Sequence, residues 1–243
     1  MWISSIRTTT MAMNLREKPL AICAVADEHQ PQTKQGVTMQ LVMMHGLYMH
    51  HTIMKPLSAL METLGWQIEG LSYNSLNIDL NGLFDRIEAL CSPDTPCYLV
   101  GHSLGGVLAR QYAEQRPLPE GSRIVSLGSP HQGAQVAKQL AQWNLQGFMG
   151  NAHEHGLIND GELTYGGTAA LGSLAGDAGV GVGNLFNQLQ GQPNDGTVLV
   201  SETQIEGMSD HLVLPVSHTS MLLSPQVARQ TDHFLRYGRF DQG

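Results

Sequence analysis

The segment Cys97-Tyr98-Leu99-Val100-Gly101-His102-Ser103-Leu104-Gly105-Gly106-Val107 constrains this chain more than any other. Its apolar run, Cys97 to Val100, reads as a buried strand, and Leu104 to Gln115 reads as an amphipathic helix. Between the two stands Gly-x-Ser-x-Gly. A serine at such a junction sits on a tight, strained turn with its hydroxyl lifted above the sheet edge. Glycines two before and two after are needed because a side chain there would strike the adjoining strand or helix. The Gly and Ser content of the chain would supply about 0.2 such patterns by chance. The weight therefore rests on the strand before the motif and the helix after it.

The flanking pattern supplies a sheet around that junction. Gln40 to Met44 is an apolar run bounded by His45-Gly46, a second candidate strand. Ile53, Met54, Leu57, Leu60, Met61 and Leu64 have helical spacing, closed by Gly65. Trp66 to Tyr73 reads as a strand, and Asp79 as the cap of a helix that runs to Leu90. Arg123 to Leu127 is a further strand, and Gln226 to Tyr237 a closing helix. Strands alternating with helices imply parallel strands joined by right-handed crossovers, an α/β fold. Between residues 147 and 183 the rhythm breaks, with 11 Gly in 37 residues, and it resumes at Thr197 to Val200. An irregular stretch of that length is usually functional, so a short Gly-rich cap or lid is expected over about 143–190. Residues 1–36 are polar and unpatterned and read as a poorly ordered extension, leaving 37–243 as one domain.

Charge excludes one class of partner. Lys plus Arg number 13 against 21 Asp plus Glu, a net charge of −8, and no basic run stands ready to meet phosphates. Nucleic acid is not expected. No stretch reaches 18 apolar residues, so no transmembrane segment is expected, and residues 1–36 lack the apolar centre of a signal peptide. Of three cysteines, Cys23, Cys91 and Cys97, the last two are near enough in sequence to bridge. A secreted framework would be denser, so thiols in a reducing compartment, the cytoplasm, are the expectation.

A serine hydroxyl is a weak nucleophile until a base takes its proton. After a strand–Gly-x-Ser-x-Gly–helix unit the acid and then the base follow in chain order, the base on a loop beyond the last strand. Downstream of the expected cap stand His211, His218 and His233. His218 follows the apolar run Leu212 to Val216 and precedes the final helix, so it is the leading base, with His211 the alternative. His233 falls inside that helix, away from the strand ends. For the acid that orients the imidazole, Asp195 in the turn Asn194-Asp195-Gly196 leads and Asp210 competes. The tetrahedral intermediate needs donors placed in advance. The backbone N–H of Leu104, at the N-terminus of the elbow helix, is one candidate. The N–H of Leu47, after His45-Gly46, is the other, and Gly46 and His102 are expected to touch substrate. His45, His50 and His51 are an alternative metal set, but no carboxylate cluster accompanies them, so packing for His45 and exposure for the other two are expected. No metal and no organic cofactor is required. Met43, Met44, Met49 and Met54 could line an acyl pocket or simply pack the core.

Taken together these residues resemble the esterase/lipase branch of the α/β-hydrolases, akin to triacylglycerol lipases and to the inositol-deacylase-like group, over about 39–240. The resemblance rests on His45-Gly46-Leu47, on Gly-His-Ser-Leu-Gly-Gly and on Tyr73-Asn74-Ser75 after the second strand. It extends to Leu127-Gly128-Ser129-Pro130-His131-Gln132-Gly133 and to the Asn-Asp-Gly-x-Val and Ser-His-Thr segments. It implies a sheet of about six strands, since the usual N-terminal antiparallel hairpin is not visible. It also implies hydrolysis of a small-molecule or lipid-like ester through an acyl-serine. Thioesterase or acyltransferase chemistry would use the same three residues, and a non-catalytic binding protein would be free to lose them.

Overall fold

Six strands lie side by side in the order β2-β1-β3-β4-β5-β6, every neighbouring pair parallel. They are β1 (Met39–Met44), β2 (Trp66–Leu71), β3 (Tyr98–His102), β4 (Arg123–Leu127), β5 (Ala170–Gly176) and β6 (Asp210–Leu214). The structure, a computed structural model, describes residues 39–134, 137–138, 146–155, 163–179 and 191–242. The expected extension, 1–36, and much of the expected cap lie outside those residues.

Parallel strands are covered on both faces, and the alternation of their side chains shows how. Val42, Met44, Leu99 and Ile124 point to one face, where they pack with Leu83, Phe84 and Ile87 of α2 (Leu80–Leu90) and Leu104, Leu108 and Tyr112 of α3 (Leu104–Gln115). Leu41, Met43, Val100 and Val125 point to the other, against Leu57 and Met61 of α1 (Lys55–Thr63) and Val227, Phe234 and Leu235 of α4 (Pro225–Tyr237). Met43, Met44 and Met54 are therefore core, not an acyl pocket. The helices start as their sequences dictate. Asp79 accepts from Gly82 N and Ser224 from Val227 N, each satisfying an orphan donor of the first turn.

The second half of the sheet departs from expectation. Thr197 to Val200 is not a strand; the chain turns there and enters a 3-10 helix over Val200–Thr203. The fifth strand is instead Ala170–Gly176, Ala-Leu-Gly-Ser-Leu-Ala-Gly, in the middle of the 143–190 segment expected to be a cap. Its small residues are a packing requirement. A β-carbon on Gly172 would come within 2.5 Å of the Phe234 ring, and one on Gly176 within 2.2 Å of Val216 O and 2.9 Å of Asp195 Cβ. The glycines admit a helix ring on one side and two loops of the site at the strand end. A second departure is covalent: Cys91, at the end of α2, and Cys97, before β3, form a disulfide rather than free thiols.

Candidate active site

With every strand parallel, the loops after β1, β3, β4, β5 and β6 gather at one edge of the sheet. Ser103 leaves β3 there with φ 55 and ψ −122, one of two non-glycine residues with positive φ among those described. Its N–H donates to Leu127 O at 2.9 Å, so the turn is tied to β4. The close packing of that turn dictates its glycines. A β-carbon on Gly101 would lie 2.3 Å from Gly106 N, and one on Gly105 would lie 2.6 Å from the carbonyl oxygens of Met44 and His45. Strain of this kind persists only where surrounding structure enforces it.

Asp195 and His218 meet at the same edge. His218 Nδ1 lies 2.6 Å from Asp195 Oδ2, and both residues are buried. Oδ1 of the carboxylate accepts from Thr197 N at 2.9 Å and Val198 N at 2.8 Å, an Asx-type turn made possible by Gly196 at φ 95. The main chains are tied as well, His218 N donating to Asp195 O at 2.8 Å. Three donors thus converge on this buried carboxylate, two on Oδ1 and one on Oδ2, and a buried carboxylate needs such partners. Gly128, after β4, sits beneath the pair. A β-carbon there would come 2.9 Å from Asp195 Oδ2 and 3.1 Å from His218 Nδ1.

The loop after β1 lies on the other side of the serine. A β-carbon on Gly46 would be 3.0 Å from Ser103 Cβ, so the bare backbone is what leaves space above the hydroxyl-bearing residue. His45 is fully buried and stacks on Tyr73, ring centroids 4.3 Å apart. Burial holds its imidazole below the ordinary range, and its hydrogen bonds choose one neutral tautomer. Nδ1 donates to Gly46 O at 2.9 Å, while Nε2 accepts from Tyr73 N at 3.3 Å. The Gly46–Leu47 peptide is planar, so fixing its carbonyl also fixes the direction of Leu47 N–H. Tyr73 OH donates to His45 O, and Tyr48, at φ 58, donates its N–H to Ser75 Oγ at 3.0 Å. The expected packing role of His45 is thus a specific one, and Tyr73 and Ser75, to which the sequence alone attached no role, hold the same loop. Their only signal in the sequence is the recurring Tyr-x-Ser segment.

The structure separates the alternatives. His211 lies on β6, its Nε2 2.9 Å from Thr203 Oγ1, and Asp210 accepts from Phe240 N, so neither faces the other as acid and base. His233, on α4, bonds Arg239 O. Leu104 is fully buried at the first position of α3, and Leu47 is half-buried. One expectation is corrected outright. His102 is fully buried and its ring bonds the main chain of His218, so it is not a surface for substrate. Among the described residues no group of three or more His, Cys, Asp or Glu is placed to hold a metal ion. Nor is any helix among them long and apolar enough to cross a membrane.

Comparison with known proteins gives a family and a fold. The family model described as PGAP1-like alpha/beta domain matches residues 71–236. No curated protein sequence matches. Among solved structures, the lipase BlEst2 of Bacillus licheniformis in propeptide form has a TM-score of 0.56 at 16% identity over 76% of this chain; the chain spans 47% of that protein's length. The pyrethroid hydrolase PytH has a TM-score of 0.50 at 11% identity, covering 83% of this chain and 99% of that one. A thioesterase domain, NocB, in covalent complex with a fluorophosphonate nocardicin G analogue, has a TM-score of 0.50 at 16% identity, covering 82% and 94%. At such identities the likeness is one of fold.

Proposed function

The chain belongs to the family of PGAP1-like alpha/beta domains, with the α/β-hydrolase fold, and on that premise we propose that it hydrolyses carboxylic esters through an acyl-serine. The observation that carries the reading is the buried Asp195–His218 hydrogen bond at the strand edge where Ser103 stands on its strained turn. In this reading Ser103 Oγ attacks the ester carbonyl as His218 Nε2 takes its proton. Asp195 keeps Nδ1–H directed at itself, which leaves Nε2 free to act as base, and it stabilises the imidazolium that forms. The N–H groups of Leu104 and Leu47 receive the developing oxyanion, and the bare Gly46 leaves room for the substrate beside Ser103. His218 then protonates the leaving alcohol, and water repeats the sequence to release the acid and free serine. No step calls on a cofactor.

The substrate is a small or lipid-like ester in this reading. Tyr48 and Leu76, both exposed, stand beside Leu47 and Ser75 and would give the approach to the serine an apolar character. The Cys91–Cys97 disulfide weighs against the cytoplasmic location expected from sequence, because such bonds persist in oxidising compartments. Hydrolysis of nitrophenyl esters of short, medium and long acyl chains, run beside the matching acyl-thioesters, tests the proposal. Higher kcat/KM on the oxygen esters is the result expected. Preference for the thioesters at every chain length would replace the ester reading with a thioesterase one, and no turnover of either would remove both.

A further inference from the structure

The residue before the nucleophile carries a role that the three reacting residues do not exhaust. His102 ends β3 and is fully buried. Its Nε2 lies 2.8 Å from the main-chain oxygen of His218, a residue 116 positions away in sequence. Its ring stands 4.6 Å from the His218 ring, centroid to centroid, tilted by 48°. A carbonyl oxygen only accepts, so the hydrogen of His102 is on Nε2. Nδ1 is buried without a partner on the side of Gly46, where a β-carbon would come within 3.4 Å of it. The imidazole therefore fills the space between the loop that bears His218 and the loop after β1, with the nucleophile next to it in the chain.

We propose that His102 is a positioning residue that sets the reach of His218 toward Ser103, by donating Nε2–H to the carbonyl of His218. The inference rests on the reading of His218 as base. Two other bonds hold His218, its N–H on Asp195 O and its Nδ1–H on Asp195 Oδ2, and both tie it to the acid. Only the bond from His102, among those to His218 described here, ties it to the strand that carries Ser103. An imidazole suits the post because it reaches across the gap, presents one directed donor and stays uncharged. Burial, with the neighbouring His218 adding to it, pushes His102 down to about 3, so it does not titrate beside the base in the neutral range. Misplacement by about 1 Å at a reacting centre is enough to cost on the order of 10²-fold in rate.

The experiment compares His102→Met, an adaptable apolar chain without a donor, with His102→Gln, whose amide can place an N–H near the site of Nε2. kcat and KM on the best nitrophenyl ester, the phosphonylation rate and the melting temperature are measured for each. The expected result is a kcat lower by about 10- to 100-fold for the Met variant, at KM within about twofold, with phosphonylation slowed in parallel. The Gln variant recovers kcat to within about fivefold of the native protein. Native kcat in the Met variant overturns the inference, and so does a Gln variant no faster than Met at equal melting temperature. A rise in KM at unchanged kcat would overturn it in favour of a substrate contact. If His102→Met does not fold, the Gln variant still decides, because a kcat reduced as far as 100-fold in a folded Gln protein contradicts the role. Ester hydrolysis surviving in Ser103→Ala would instead remove the functional reading on which it rests, a distinguishable outcome.

Discussion

The two flanks of Ser103 are built from different kinds of bond. On the flank of β5 and β6, Asp195 is buried and both its oxygens are engaged, two backbone N–H groups on one and the His218 ring on the other. On the flank of β1 and β2, the described bonds around Leu47 are between neutral groups: His45 to Gly46 O, Tyr73 N to His45 Nε2, Tyr73 OH to His45 O, and Tyr48 N to Ser75 Oγ. A buried ionised group is strongly held when paired and expensive to leave unpaired, whereas one neutral hydrogen bond contributes about 1 kcal/mol. In the proposed mechanism the first flank concentrates its function in one pair. The second distributes it over several weak contacts around a backbone strained at Tyr48. Substitutions should therefore fall steeply on one side and in small steps on the other.

The largest effect is expected at Asp195. Asp195→Asn frees His218 to adopt the wrong tautomer, and kcat on a nitrophenyl ester should fall by about 10³- to 10⁴-fold. Asp210→Asn, the rival carboxylate, should cost less than about tenfold, since it serves Phe240 N. Both carboxylates belong to the β5 and β6 flank, so equal losses for the two would contradict the concentration of that flank in the Asp195–His218 pair. Next, Tyr73→Phe removes the donor to His45 O and should lower kcat by about tenfold with KM nearly unchanged, because in the proposed mechanism the bond orients a group that acts in the transition state. Ser75→Ala leaves Tyr48 N–H without its acceptor, and a kcat loss of about fivefold is expected. A loss near 10³-fold at either residue would show that the β1 flank, too, is concentrated in a single bond.

A last effect concerns stability rather than rate and arises from histidines outside the bonds that define the two flanks. His102 and His131 are each pushed down to about 3, chiefly by burial, against an ordinary value of 6.5. Between those limits the unfolded chain binds protons that the folded one does not. Stability is then full above about pH 6.5 and declines toward pH 3, by on the order of 1 kcal/mol per pH unit for each ring. Melting temperature followed from pH 7 to pH 4 should fall, and the fall should be shallower in His131→Gln. That residue takes no part in the proposed reaction, and its Nε2 lies 2.9 Å from Ser126 Oγ. An identical slope in the variant would contradict a neutral buried imidazole there.

The first four strands were legible because their Leu, Val, Ile and Met residues carry the pattern of parallel strands buried on both faces. β5 was hidden for the opposite reason. Phe234 packs on Gly172, and Val216 and Asp195 crowd Gly176, so the strand is written in residues too small to show a hydrophobic signal. Val198 and Leu199 look like strand residues and are buried, yet they belong to the turn that hands Val198 N–H to Asp195. That Ser103, Asp195 and His218 stand on loops at one sheet edge was readable because these loops follow β3, β5 and β6, which lie in chain order across the sheet. The posts of His45 and His102 were not, because each depends on partners distant in sequence, 28 residues for Tyr73 and 116 for His218. A buried histidine beside an active serine reads equally well as a substrate contact until its partner is seen.

The central claim is that one serine, activated by the Asp195–His218 pair, carries the chemistry. Intact mass of the native protein after treatment with a fluorophosphonate, followed by peptide mapping, tests it most directly. The prediction is a single adduct, located on Ser103, absent in Ser103→Ala and formed far more slowly in His218→Ala. A native protein that stays unmodified, or a Ser103→Ala protein that is modified as fast as the native one, would contradict it.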